Sequence, residues 1–266
     1  MKRRPLATWL LYFVTLIGFG YLFVPLITIA VFTFNKPKGR FNTAWQSFTL
    51  DNWRHAFQQS DYLTAFGKSI QVALIACTIA TILGGLMALA ISRYKMRGGP
   101  ALDLLLVLPL TTPEIVMGAS LFTLFFNQSV RRGFWTIVIA HTLFCVSFVA
   151  LTVKARLRGL DWSLEDAAAD LGSPPLRTFR KITFPMIVPG ISAAFMLSLA
   201  LSIDDYIITS FVAGNTSTFP REVFDSSKIT IPPQVHVIAT LTMLIAVVTI
   251  VATTLAGLRR EARLKG

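Results

Sequence analysis

An all-α integral membrane bundle of six transmembrane helices with a cytoplasmic helix-turn-helix is the architecture this sequence predicts. Three observations point there. Of 266 residues, 54% are hydrophobic and only 14% charged, with a mean hydropathy of +0.63; soluble domains carry about 25% charged residues. Apolar runs recur at the length a bilayer demands, since a hydrocarbon core of about 30 Å needs roughly 20 helical residues. The basic residues fall mostly between those runs.

The elements follow in order. Lys2-Arg3-Arg4 precede an apolar run at 9–33, too long for a signal-peptide core of about 7–15 residues and without a small-residue cleavage site. It reads as a retained first span. Further spans are expected at 66–92, 101–126, 134–155, 186–212 and 235–257, making one transmembrane domain over 1–266. Pro25, Gly84-Gly85, Pro109, Pro113, Pro189 and Gly190 fall inside these runs, where neighbouring helices can satisfy the freed backbone groups. With the N-terminus inside, 16 of the 25 Lys and Arg residues lie on inner segments and 9 on outer ones, which places both termini in the cytoplasm. Two connections are long. The outer one, 34–65, holds Trp45, Trp53 and Tyr62, suited to the interface. The inner one spans 157–185.

A net charge of +12 and a pI near 10.2 suggest nucleic acid in a soluble protein, but no such motif occurs and topology accounts for the charge. Cys77 and Cys145 sit in separate apolar runs, and His55, His141 and His236 have no ligand spacing, so neither a disulfide framework nor a metal site is implied. His141, within an apolar run, reads as a polar contact between helices. No P-loop GxxxxGK[ST] occurs, so the chain has no catalytic residues or cofactor of its own to propose.

The inner loop carries the most information. Ser163 with Asp166 approximates a capping box. Leu164, Ala167, Ala168 and Leu171 then fall at i, i+3, i+4 and i+7, a narrow apolar face of small residues. Gly172 is placed as a C-cap and Pro174-Pro175 as a stop. A second short helix at 175–183 sets Leu176, Phe179 and Ile182 against Arg177, Arg180 and Lys181, and Pro185 leads into the fifth span. From these residues alone, a docking element and an amphipathic helix lying on lipid weigh equally.

This stretch resembles the EAA loop of ABC importer permeases, whose pattern is Glu-Ala-Ala, three residues, Gly, nine residues, Ile, one residue, Leu-Pro. Asp166-Ala167-Ala168, Gly172, Ile182 and Phe184-Pro185 stand at that spacing, with Asp166 in place of Glu and Phe184 in place of Leu. Glu165 lies beside the departure. The resemblance implies a bacterial inner-membrane permease of the type I importer fold, whose first short helix enters a cleft of an ATPase. The ATPase-coupling residues are then Glu165, Asp166, Ala167, Ala168, Gly172, Ile182 and Pro185. It also implies a second permease as partner, two ATPase subunits that bind the ATP and Mg, and an extracytoplasmic binding protein. Over nearly the whole chain the sequence is similar to the spermidine/putrescine branch and its second permease subunit. The stretches Phe48–Trp53, Leu108–Gly118, Leu201–Gly214 and Ile231–Thr240 carry that likeness.

Charged residues within a span are costly, about 2.5–3.5 kcal/mol on insertion scales, and are functional candidates by default. Glu114, Asp204 and Asp205 are such residues, all acidic, with Tyr206 and Phe211 nearby as cation–π partners. They suit the path of a polycation. Two other roles stay open: Glu114 capping a half-helix restarted after Pro109, and Asp204-Asp205 standing in water or against a partner. An ion-coupled secondary transporter is the rival class, but the internal repeat and paired broken helices that mark it are not evident. An intramembrane enzyme needs a constellation that His141, Cys145 and Ser147 do not complete.

Overall fold

The computed structural model describes residues 6–58, 60–94, 98–245, 247, 248 and 251. Its helices are α1 (Leu6–Phe32), α2 (Asp51–Arg54), α3 (Ser60–Arg93), α4 (Gly99–Thr111), α5 (Glu114–Asn127), α6 (Phe134–Leu157), α7 (Ser163–Asp170), α8 (Pro175–Thr178), α9 (Phe184–Asp204), α10 (Ile207–Val212), α11 (Phe219–Ser227) and α12 (Pro233–Ile245). A π-helical turn, Phe179–Thr183, joins α8 to α9. Two isolated β-bridges are the extended pairing found among the described residues. Four helices are long and apolar enough to cross a membrane: α1, α3, α6 and the rod Pro175–Asp204. The pair α4 and α5 makes a fifth crossing if counted together. The last expected span, 235–257, lies partly outside the described residues.

Three boundaries differ from expectation. The span at 101–126 is broken, with α4 and α5 meeting at a bend of 103°. Pro109 continues inside α4, and the break falls at Thr112-Pro113. Thr112 is extended (φ −77°, ψ 128°), because the ring of a following proline disfavours the helical conformation. The fifth span ends at Asp204 rather than 212: Asp205 is extended (φ −66°, ψ 118°) and α10 restarts beyond it. The short helix expected at 175–183 does not stop. It runs on through the π turn into α9, which shifts the Lys181 carbonyl that the Pro185 ring would otherwise strike.

The chain divides into two compact units, Met1–Leu63 with Val223–Gly266, and Thr64–Glu222. In the first, the connection after α1 is folded around three asparagines. Asn35 Nδ2 donates to Asn42 Oδ1 at 2.7 Å and to the Ala44 carbonyl at 2.9 Å, while its own Oδ1 accepts from Gln46 N–H at 2.7 Å. Asn52 Nδ2 donates to the carbonyls of Thr33 and Asn35, each at 2.8 Å, groups that the end of α1 leaves unpaired. Phe34 stacks between Phe48 and Trp53 with ring centroids 5.7 Å away on each side. Tyr62, expected at the interface, is buried. Ile231 N–H donates to the Arg40 carbonyl at 3.1 Å, tying the segment before α12 to this connection.

The second unit is built around α6. One face of α6, from Ile137 through His141, Phe144, Cys145 and Val149 to Val153, is buried in the core cluster. α9 packs along it and α4 meets it, while α5 packs on α10. α3 approaches α6 closely at Gly84, where a Cβ would lie 2.7 Å from the Val146 carbonyl oxygen. Alanine does not fit there.

Candidate functional site

Two polar sites, one at each end of the packed helices of the second unit, contain the sequence-predicted residues. The first is the 157–185 loop. α7 begins at Ser163 without the expected Ser163/Asp166 capping box. Instead Asp161 Oδ1 accepts from Ser163 N–H at 3.0 Å, because an Asp two residues upstream closes an Asx turn more readily than a serine already in helical conformation. The Ser163 hydroxyl and then its N–H hold the Asp161 carboxyl below the usual carboxylate range.

The far end of α7 closes as a Schellman motif. Gly172 adopts φ 77°, Gly172 N–H donates to the Ala169 carbonyl and Ser173 N–H to the Ala168 carbonyl, each at 2.9 Å. Thr178 Oγ1 donates to Ser173 Oγ at 3.0 Å, pinning the turn to α8.

Between these ends, the adjacent acids separate. Glu165 faces the protein: Arg93 Nη2 lies 2.8 Å from its Oε2, Arg93 Nη1 donates to Oε1 at 3.3 Å, and the Thr183 hydroxyl donates to Oε1. Its side chain is 11% exposed. Asp166 is exposed. Leu164, Ala167 and Leu171 are exposed as well, Ala168 is half-buried, and Leu171 retains 88% of its surface. Ile182 is half-buried and Pro185 exposed. α7 is thus bolted on one side and bare on the other.

The second site is where α9 breaks. Asp205, 4% exposed, accepts from Thr209 N–H and Thr209 Oγ1, both at 2.8 Å, and from Ile208 N–H at 3.3 Å, so it caps α10. His141 of α6 completes the cluster. Its Nε2 is 3.2 Å from Asp205 Oδ2 and 2.9 Å from Thr209 Oγ1, and its Nδ1 is 2.7 Å from Ser202 Oγ. Buried polar groups at membrane depth have no water to fall back on, so such mutual satisfaction fixes the geometry of the break. Asp204, one residue earlier, is exposed. Glu114 is exposed at the first position of α5, and Thr111 and Thr112 donate back to the Leu108 carbonyl instead of capping it. Phe211 packs on α5, where a Cβ on Gly118 would lie 2.6 Å from its ring, and Tyr206 is half-buried.

Sequence reasoning missed several participants, Ser202 and Thr209 of the second site among them. Arg93 entered only the topology count, Thr183 was unremarked, and the ion pair of Lys154 on α6 with Asp103 on α4 was not anticipated. An Arg 72 residues from Glu165, or a Thr 18 residues from it across a turn, leaves no local spacing to read. Among the described residues, no group of three or more His, Cys, Asp or Glu is arranged to hold a metal ion.

Helices of membrane-crossing length around a polar break, with a bolted helix-turn-helix at one end, define a multi-span transport protein. A profile of the binding-protein-dependent transport system inner membrane component family matches residues 80–260. The chain belongs to that family; it is a membrane permease component of an ABC importer, a transport subunit rather than an enzyme. The spermidine/putrescine transport system permease protein PotC of Escherichia coli (strain K12) is 35% identical over 238 residues, 89% of each chain. The putrescine transport system permease protein PotI of the same strain is 35% identical over 236 residues, 86% of this chain and 83% of its own. Among solved structures, a bacterial ABC transporter importing alginate matches with a TM-score of 0.68 at 12% identity, covering 95% of this chain and 99% of that one. The MetNI methionine ABC transporter matches at 0.55 and 15% identity, covering 74% and 95%. At those identities the likeness is one of fold.

Proposed function

We propose that this chain is the polyamine-conducting permease half of a heterodimeric importer, with both termini in the cytoplasm and six spans forming one transmembrane domain. The 35% identity to spermidine and putrescine permeases over most of the chain supports the substrate class, and the exposed acids Glu114 and Asp204 supply the sign of charge a polycation needs. Asp205 holds the α9–α10 break that presents Asp204, and Tyr206 and Phe211 line the same segment. The partners are a second permease, two ATPase subunits that bind ATP and Mg, and an extracytoplasmic binding protein.

The observation that carries the mechanism is the two-sided α7. Its bare face, Leu164, Ala167 and Leu171 with Asp166 beside them, enters the ATPase cleft. Its bolted face passes the motion on: Glu165 hands displacement to the inner end of α3 through Arg93 and to the head of α9 through Thr183. The spans then rock between inward- and outward-facing states. Gly172 and Pro185 set where the loop turns and where the rod enters the membrane, and Ile182 packs beneath it.

The test is purification with co-expressed partners, followed by ATPase assays with the binding protein and a panel of polyamines, amino acids and sugars. Stimulation by spermidine or putrescine alone is expected. Stimulation by an anionic or neutral solute instead overturns the substrate assignment, and no ATPase association overturns the coupling.

A further inference from the structure

At the end of the second unit opposite α7, a cavity of about 630 Å³ opens among the 130–135 segment, Lys68 of α3 and the Gly214–Thr216 turn. Three cations line it, Lys68, Arg131 and Arg132, and none of its lining residues is acidic. Arg132 is part of the wall: its Nη1 donates to the Phe211 carbonyl at 3.2 Å and its guanidinium lies 4.6 Å over the Phe122 ring. Gly214, at φ 54°, closes the wall, since a Cβ there would lie 2.6 Å from the Arg132 carbonyl oxygen. Lys68 is half-buried and Arg131 exposed, and among the described residues neither meets a carboxylate. The N-terminal, positive end of α6 opens into the same space. This basic lining, with no acidic residue in it, repels a polyamine and calls for an anion.

Depth and surroundings say which anion. On α6, Trp135 stands roughly 28 Å above Lys154 at 1.5 Å per residue, close to one hydrocarbon thickness of about 30 Å. On α3, Lys68 stands roughly 37 Å from Arg93, the span of a core plus headgroups. Both measures put the cavity at headgroup level. Below it runs an exposed apolar stripe on one face of α6, Trp135, Ile139 and Leu143, at i, i+4 and i+8. A soluble acidic protein has no use for that stripe; an acyl chain does.

We infer that this cavity holds the phosphate of an anionic phospholipid between Lys68, Arg131 and the head of α6, with an acyl chain laid along Trp135, Ile139 and Leu143. The site rests on the membrane location of α6 and not on the transported substrate.

The experiment uses the purified importer complex in phosphatidylethanolamine vesicles with or without phosphatidylglycerol, with retained lipid measured by native mass spectrometry. Wild-type protein should retain phosphatidylglycerol over phosphatidylethanolamine. Lys68→Gln with Arg131→Gln should weaken that retention about thirtyfold, a basic side chain near an anionic surface being worth about a factor of five. Lys68→Arg with Arg131→Lys keeps the charges and should keep the lipid, which separates charge loss from misfolding. Equal retention of both lipids by the wild type, or undiminished phosphatidylglycerol on the Gln variant, overturns the site. So does a Gln variant that keeps its lipid but loses stimulation by the binding protein, which assigns the cations to an acidic protein surface.

Discussion

The chain contains two acidic dyads, Glu165-Asp166 in the inner loop and Asp204-Asp205 at the helix break, and they are built on one plan with the order reversed. In each, one acid is taken inward by a nitrogenous partner and a threonine: Glu165 by Arg93 and Thr183, Asp205 by His141 and Thr209. In each, the neighbour stays exposed. Within α7 adjacent residues stand about 100° apart, and at the second dyad Asp205 leaves the helix for an extended conformation, so in both places inward bonding of one acid leaves the other outside. The comparison teaches that neither dyad is a single site. One member holds geometry and the other is offered to whatever comes from outside.

Breaking the buried anchor should have the largest effect. Asp205→Ala leaves His141, Thr209 and two N–H groups of α10 without their acceptor, and losses of a buried partner run to about 3–5 kcal/mol. The expected readout is a lower thermal transition and less assembled complex, with Asp205→Asn milder. A normal melting curve for the Ala variant would mean the break is held elsewhere. Next, Asp166→Arg, on the offered side of the other dyad, should leave the fold intact and abolish ATPase association; near-normal uptake counts against docking through this face.

Arg93→Ala comes third. The pair is half in solvent, where such bridges are worth about 0–1 kcal/mol, so stability should barely change. ATP hydrolysed per polyamine transported should rise, and exchanging the charges as Arg93→Glu with Glu165→Arg should restore part of the coupling. The smallest effect concerns Asp161. Its carboxyl is held low by Ser163, so its contribution to α7 is present above the ordinary carboxylate range and fades as pH falls below about 4. Higher protection of α7 amides at neutral pH than in acid, each rate taken relative to the unstructured rate at the same pH, flattened by Asp161→Asn, is the check.

Hydropathy alone located α1, α3 and α6, because a bilayer imposes one length on every crossing. It located the third run but not its break, and it carried the fifth past Asp204: Ile203 and Phe211 keep the apolar average high across a break that only the polar pair between them reveals. Pro109 looked like the breaker and Pro113 was. A proline inside a helix is tolerated when its neighbours fill the gap, whereas Thr112 was forced out of helix by the ring after it. The EAA-like spacing was legible down to Gly172, but the inward turn of Glu165 was not, since Arg93 comes from the end of α3 and Thr183 meets it only once the loop has turned back. His141 read correctly as an interhelical contact; which hydroxyls it meets depended on the restart at α10. The asparagines of the first unit passed unnoticed because polar loops carry no period.

The π turn at Phe179–Thr183 makes the chain from Pro175 to Asp204 one uninterrupted shaft running from outside the bilayer to its depth. A shaft transmits torsion as well as thrust, and this one carries its extra residue just below the point where Thr183 is gripped. Winding the same residues as ordinary α-helix would rotate everything beyond by about 100°, swinging Ser202 and Asp204 to new azimuths, whereas deleting one residue there would restore both the ordinary winding and their present phase. The wider coil therefore sets the angular phase between what is grasped at one end and what is presented at the other.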